Sequence, residues 1–282
     1  MQRILAELGA LLRRGESAAL CTVVSTRGSV PRSTSIFVPV LRGTKMLVRL
    51  DGSLLGTVGG GQMESRVIAV AHETLRSGQP QLVHYSLVDQ KAGDPGVCGG
   101  TMEIFVEPAE PLPTLLVIGG GHVGAALVRL GSWLDFRVVL TDDRAEFCNA
   151  QAVPGADEYL VLAAAALPAA LTFHRNMHIV LPTRGMAVDL DYVPMLLAQP
   201  HAYFGVIGSK RRWATTVDAL KERGISAAQL AGVHAPMGLE LNAETPEEIA
   251  VSILAEIIML RRGGSGAPMA AAGKPAASSG SV

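Results

Sequence analysis

From residue 114 onward the chain repeats one pattern: a short apolar run, a break, a helix-like run, then another apolar run. The strand-like pieces are "TLLVIGGG", "FRVVLTDD", "DEYLVL", "MHIVLPT" and "AYFGVIG", and runs such as "HVGAALVRLGSWL" and "DYVPMLLAQ" lie between them. Parallel strands need crossover connections, so this alternation predicts a doubly wound parallel sheet of Rossmann-like α/β type over residues 114–262. The last helix carries its own boundaries: Thr245 as N-cap, Pro246 at N1, Glu248 closing a capping box, and Arg261-Arg262-Gly263 at the C-terminus. Ile249, Ile253, Ile257 and Leu260 predict its apolar stripe. Residues 263–282, rich in Gly, Ala and Ser, cannot build a core and are expected to be disordered.

Residues 1–107 read as a separate, mixed α/β domain. "AALCTVVST", "QLVHYSL" and "TMEIFVEP" are strand-like, and "KMLVRLDGSLLGTV" alternates around Asp51-Gly52, which predicts a hairpin with a type I′ turn. "QMESRVIAVAHETLRSG" has helical spacing and stops at Gly78. At the N-terminus, Ile4, Leu5, Leu8, Leu11 and Leu12 recur at helical spacing among charges, which fits an amphipathic helix better than a signal peptide. The stiff stretch "PAEPLP", residues 108–113, is the expected linker.

Composition narrows the function. Basic and acidic residues number 24 and 25, so nothing marks a nucleic-acid partner. No apolar run reaches the roughly 18 residues of a membrane span. Three cysteines, Cys21, Cys98 and Cys148, are too few and too far apart for a disulfide framework or a C-x-x-C metal knuckle, and a reducing cytoplasm is the expected location.

Two glycine triplets sit at strand-to-helix junctions. Gly119-Gly120-Gly121-His122-Val123-Gly124 fits G-x-G-x-x-G after an apolar strand, with Asp142 and Asp143 at the end of the next strand. Gly119, Gly121 and Gly124 would let backbone amides approach a phosphate, and Asp142 would take ribose hydroxyls. Tight strand–helix packing alone would ask for the same small residues, and His122 would serve equally as a capping group. Ser209, Lys210 and Arg211, with Arg212, open another helix, as an anion site or as a solvated basic turn. Arg184 ends its own strand, where open α/β sheets place ligands. The second triplet, "GTVGGGQMES" at residues 56–65, lacks the Lys-Ser/Thr of a P-loop. Gly59, Gly60 and Gly61 still offer a nest of amides, and Glu64 is either a ligand or a partner of the helix start. Cys98 precedes Gly99 and Gly100, which suits an accessible thiol or a tight turn. The sequence contains no G-x-S-x-G and no H-E-x-x-H, and no histidine and carboxylate stand as an evident acid–base pair.

Taken in order, "GSVPR", "GTVGGGQMES", "GVCGGTMEIFVEP", "IGGGHVG", "VIGSKRR" and "GVHAPMGLELNAETPEEIAVSILAEI" resemble the XdhC/CoxI family over about residues 15 to 262. The resemblance implies an N-terminal XdhC/CoxI domain followed by a Rossmann-like domain. It implies an accessory protein rather than an enzyme: one that binds the molybdenum cofactor (molybdopterin), keeps it during sulfuration by a cysteine desulfurase, and passes it to an apo molybdenum hydroxylase such as xanthine dehydrogenase. On that reading the cofactor lies near the cleft between the domains. Gly59–Gly61 with Glu64 match the family's G-G-G-x-x-E, and Cys98, Gly99 and Gly100 match its C-G-G. Cys98 would then approach the molybdenum end of the cofactor. The Rossmann turn would take a nucleotide or stay without one, and a homodimer is left open. Two stretches depart from the family pattern: an apolar insertion within residues 33–42, and "PTRGMAVDLD", where only Thr183, Ala187 and Asp189 fit a T-H-x-H-x-x-D pattern. A different class stays in view, an NAD(P)-dependent oxidoreductase using the Gly119–Gly124 turn.

Overall fold

The structure, a computed structural model, describes residues 1–28, 42–86 and 99–271. The chain divides into two compact units, Met1–Pro111 and Leu112–Val282. The first contains α1 (Gln2–Arg13), β1 (Ala18–Arg27), β2 (Lys45–Arg49), β3 (Leu54–Gly56), α2 (Gly61–Ser77), β4 (Gln81–Ser86) and β5 (Thr101–Ala109). Its sheet runs β3-β2-β1-β5-β4, antiparallel at every pairing. Alternation along β1 explains the layers. Ala19, Cys21 and Val23 pack with Met63, Val67, Ala71 and Leu75, which recur every fourth residue along α2. Ala18 and Leu20 face the other way, onto Ile4 and Leu11 of α1. Each fully buried Val, Leu or Met side chain contributes about 1.5–3 kcal/mol.

The expected hairpin at Asp51-Gly52 forms through a different turn. Arg49 accepts from the Gly52 amide at 3.0 Å and donates to the Ser53 carbonyl at 3.0 Å, closing a loop of three residues. Gly52 has φ +80° and Asp51 stays outside the left-handed region, so this is a glycine-bulge loop and not the two-residue type I′ turn. The expected linker also starts late. Pro108 and Ala109 are the last residues of β5, paired with Ala19 and Ala18, because a proline is tolerated near a strand end.

The second unit contains β6 (Thr114–Ile118), α3 (His122–Trp133), β7 (Arg137–Thr141), β8 (Glu158–Leu160), α4 (Leu167–Ala170), β9 (Met177–Leu181), α5 (Met186–Leu197), β10 (Tyr203–Val206), α6 (Lys210–Glu222), α7 (Ala227–Leu230) and α8 (Pro246–Arg262). The sheet is parallel, in the order β10-β9-β6-β7-β8. This is the expected doubly wound α/β architecture. Leu115 and Val117 join the core under α3 and α8, while Leu116 and Ile118 join the core on the α5 side. Strand order reverses between β6 and β9, which fixes the switch point where such sheets hold ligands.

Thr245 and Glu248 form the capping box of α8 as expected, and Gly263 closes it with φ +68°. The stripe is shifted at its end. Ile253 and Ile257 are buried with Ala250 and Leu254, but Leu260 is exposed, and the Arg261 guanidinium lies 4.9 Å over the Phe136 ring instead. Part of the tail expected to be disordered is folded: Gly264 donates to the Met259 carbonyl, and Met269–Ala271 form a short 3-10 turn. Residues 272–282 and the apolar stretch 33–41 lie outside the described residues.

Candidate functional site

At the switch point, the ends of β6, β7 and β9 frame a cleft of about 270 Å³ within the second unit. Gly119, Gly121, His122, Asp142, Arg144 and Arg184 contribute to its walls. The glycines have distinct physical duties. Gly119 sits at φ +117°. A Cβ on Gly120 would lie 1.9 Å from the Phe147 carbonyl oxygen, and one on Gly124 would lie 1.9 Å from the Gly119 oxygen. Gly121 alone in this turn has open space around its missing Cβ, and no side chain caps α3 there. Gly119, Gly120 and Gly124 are thus required by the backbone and its packing, while Gly121 opens onto the cleft.

Asp142 does not stand ready for a ribose. Its residue is 3% exposed, and it accepts the Gly120 amide at 2.9 Å together with the Arg144 amide, Nε and Nη2, each at 3.0 Å. The sequence places Asp142 correctly, but the neighbouring guanidinium consumes it. Arg144 in turn stacks 4.0 Å over Phe147. Asp143 faces Arg184 through two bonds of 3.0 Å, and that guanidinium pulls the Asp143 carboxyl down to about 2.

Ser209, Lys210 and Arg211 are not among the residues lining this cleft. Ser209 caps its own helix by accepting the Arg212 amide at 3.2 Å. Lys210 and Arg211 are exposed. Arg212 turns inward to Asp189, 2.5 Å away, and to the Thr183 hydroxyl at 3.1 Å. Thr183 also donates to the fully buried Asp189, so the two polar residues surviving from the T-H-x-H-x-x-D pattern form a polar triad with the half-buried Arg212. Such a triad joins α5 to α6.

In the first unit, Gly59, Gly60 and Gly61 take φ of +134°, +74° and +66°, a run that needs glycine at each position. The nest they shape is filled from within. Glu64 Oε2 accepts the Val58 amide at 3.1 Å, the Gly60 amide at 3.2 Å and the Thr57 hydroxyl. A phosphate would have to displace this carboxylate, so the amides are a poor phosphate cradle and a sound loop clasp. At the same end of the sheet, Gly28 follows β1 and Gly99-Gly100 precede β5. A Cβ on Gly28 would lie 2.9 Å from the Gly99 oxygen and 3.1 Å from Gly100 Cα. Gly99 itself, exposed and at φ +80°, has nothing among the described residues within 4 Å of its missing Cβ. Cys98 lies outside the described residues. Cys21 and Cys148 are buried, and burial pushes the Cys21 thiol up to about 12. Among the described residues no group of three or more His, Cys, Asp or Glu is arranged to hold a metal. No helix among them is long and apolar enough to cross a membrane.

The sequence shows no evident histidine–carboxylate pair, and the fold makes two among the described residues: an exposed one, His84 Nδ1 at 3.1 Å from Glu103, and a more enclosed one at Glu256. His234 Nδ1 lies 3.1 Å from Glu256, which also accepts the Tyr203 hydroxyl at 2.5 Å and the Gly238 amide at 2.8 Å. Burial and that bond raise the Tyr203 pKa. The Glu256 carboxylate pins residues 234–238 to α8, beside the edge strand β10 that His234 covers through backbone bonds to Phe204 and Val206.

The second unit is thus a Rossmann-type domain with an open cleft at its switch point. The chain belongs to the XdhC and CoxI family: residues 11–86 match the family of that description, and residues 115–257 match the XdhC Rossmann domain. It is 32% identical over 89% of its length to the Escherichia coli (strain K12) "Uncharacterized protein YqeB", covering 45% of that protein. It is 30% identical over 57% of its length to a probable xanthine dehydrogenase subunit of Bacillus subtilis (strain 168), covering 47% of it. It is 26% identical over 89% of its length to the E. coli "Molybdenum cofactor insertion chaperone PaoD", covering 85% of it. The chain therefore spans about half the length of the first two relatives and most of the third.

Proposed function

We propose that this protein is an accessory factor in the maturation of a molybdenum hydroxylase. It binds the molybdenum cofactor, holds it while a cysteine desulfurase sulfurates it, and delivers it to an apo-enzyme of the xanthine dehydrogenase type in the cytoplasm. The observation that carries this reading is the similarity to a molybdenum cofactor insertion chaperone across 89% of this chain and 85% of that one, both units included. When bound, the cofactor supplies the molybdenum centre that the client uses; the carrier itself turns nothing over.

In this proposal Cys98 with Gly99 and Gly100 receives the molybdenum end. Gly99 supports that role in being exposed, with nothing among the described residues within 4 Å of its missing Cβ. Gly59–Gly61 and Glu64 shape the same end of the first unit's sheet without holding phosphate directly. The test is to purify the full chain from a cell that makes the cofactor, oxidise bound pterin to its fluorescent derivative, and count it per protein. Stoichiometric pterin that falls sharply in Cys98→Ala is expected. Protein from a cofactor-competent cell that carries no pterin overturns the proposal. Turnover of NAD(P)H by that pterin-free protein would establish the oxidoreductase reading in its place.

A further inference from the structure

Asp142 has no acceptor capacity left for a ligand. Its Oδ2 meets the Gly120 amide and Arg144 Nη2, and its Oδ1 meets the Arg144 amide and Nε, at 2.9–3.0 Å. An ionised carboxylate offers about four lone-pair sites, and all are used. A ribose diol arriving at the end of β7 therefore finds no acceptor on this residue, although that is where an open α/β sheet would bind it.

The cleft offers a cationic fork in its place. The Arg184 Nη1 and Nη2 groups each lie 3.0 Å from one oxygen of Asp143, a bidentate pair joining the end of β9 to the end of β7. Both side chains are about half exposed, at 48% and 49%, so the pair is solvated and weakly held. Arg144 Nε stands 3.9 Å from the same Asp143. A guanidinium fork that fits two carboxylate oxygens fits two phosphate oxygens equally, and a dianion is held more strongly than a monoanion. The space for it exists: Arg184, Asp143 and the open Gly121 line one cleft of about 270 Å³.

We propose that this cleft is a phosphate clamp, in which Arg184 binds a phosphate monoester of the ligand and Asp143 occupies the fork until the phosphate displaces it. The proposal goes beyond the carrier reading and stands without it, because a sugar phosphate and a pterin side-chain phosphate present the same dianion. Two probe pairs tell these sources apart on the full chain: NADP+ against NAD+ by calorimetry, and the oxidised fluorescent derivative of molybdopterin before and after phosphatase treatment by fluorescence titration. In at least one pair the phosphorylated member binds tighter by about tenfold or more. Arg184→Ala erases that preference, while Asp143→Asn strengthens binding of the same probe by a few-fold. Opposite signs from two half-exposed positions cannot arise from misfolding. The clamp is overturned if neither phosphorylated probe outbinds its partner, or if the two variants shift affinity in the same direction or not at all.

Discussion

Gly59-Gly60-Gly61 and Gly119-Gly120-Gly121 each join a strand to a helix, and in each the middle amide donates to a carboxylate, Glu64 at 3.2 Å and Asp142 at 2.9 Å. The difference lies in where that carboxylate comes from. Glu64 belongs to the helix that the turn begins, so it folds back over the loop and takes the Val58 amide and Thr57 hydroxyl as well. Asp142 follows the neighbouring strand, takes one amide of the turn, and leaves Gly121 facing open space. A glycine triplet is thus a backbone requirement first. Whether it stays open depends on whether the carboxylate that meets its amides comes from its own helix or from another element.

Substitutions separate the two roles, and the largest effect is expected at Gly120. With the Phe147 carbonyl 1.9 Å from the position of a Cβ, backbone must move, and Gly120→Val should cost about 5 kcal/mol or more in chemical unfolding of the second unit. A mild cost would show that the turn is looser than the packing describes. Acid comes next, and it also discriminates between the units. Burial holds His174 and His178 near a pKa of about 4, below the ordinary 6.5. Their folded pKa is depressed, so the unfolded chain takes up protons first as pH falls. Stability is therefore complete above the unfolded value and is lost as pH falls through 6.5 toward 4, by about 3 kcal/mol for each. Urea unfolding at pH 7 and pH 4.5 should show the second unit losing more than the first, where neither His72 nor His84 is buried. Equal losses would contradict this.

Smaller effects bear on the first triplet. Glu64→Ala leaves the Val58 and Gly60 amides without their acceptor and should cost about 2 kcal/mol. Thermal unfolding of the variant tests it, and no change would mean that water or solvent anions replace the carboxylate without penalty. The smallest effect on stability is expected for Gly121→Ala, below about 1 kcal/mol, because φ is −67° and nothing lies within 4 Å. The same methyl enters the cleft, so ligand affinity should fall while the melting curve stays in place.

Local features are legible in the sequence because they depend on a few consecutive residues. The capping box of Thr245 and Glu248 is one, and the strand–turn–helix frame of Gly119–Gly124 is another. The family resemblance is legible for the same reason, resting on short motifs in order. What a sequence does not express is the direction of long polar side chains. Arg144 saturating Asp142, Arg212 turning into Asp189, and Glu256 gathering Tyr203, His234 and Gly238 are all decided by tertiary approach. Asp142 shows the consequence: position alone suggests a ribose ligand, and its partners remove that role. The Asp51-Gly52 hairpin differs more modestly, since the dipeptide favours reversal without selecting between a two-residue and a three-residue loop.

The central contrast is that the first triplet is closed by its own carboxylate, while the second opens onto a cleft. Backbone-amide NMR during a titration with inorganic phosphate tests it directly. Shifts at Gly121, His122 and Arg184 should saturate together, with Gly59, Gly60 and Gly61 unmoved. Saturable shifts at Gly59–Gly61 with a silent Gly121 would contradict it.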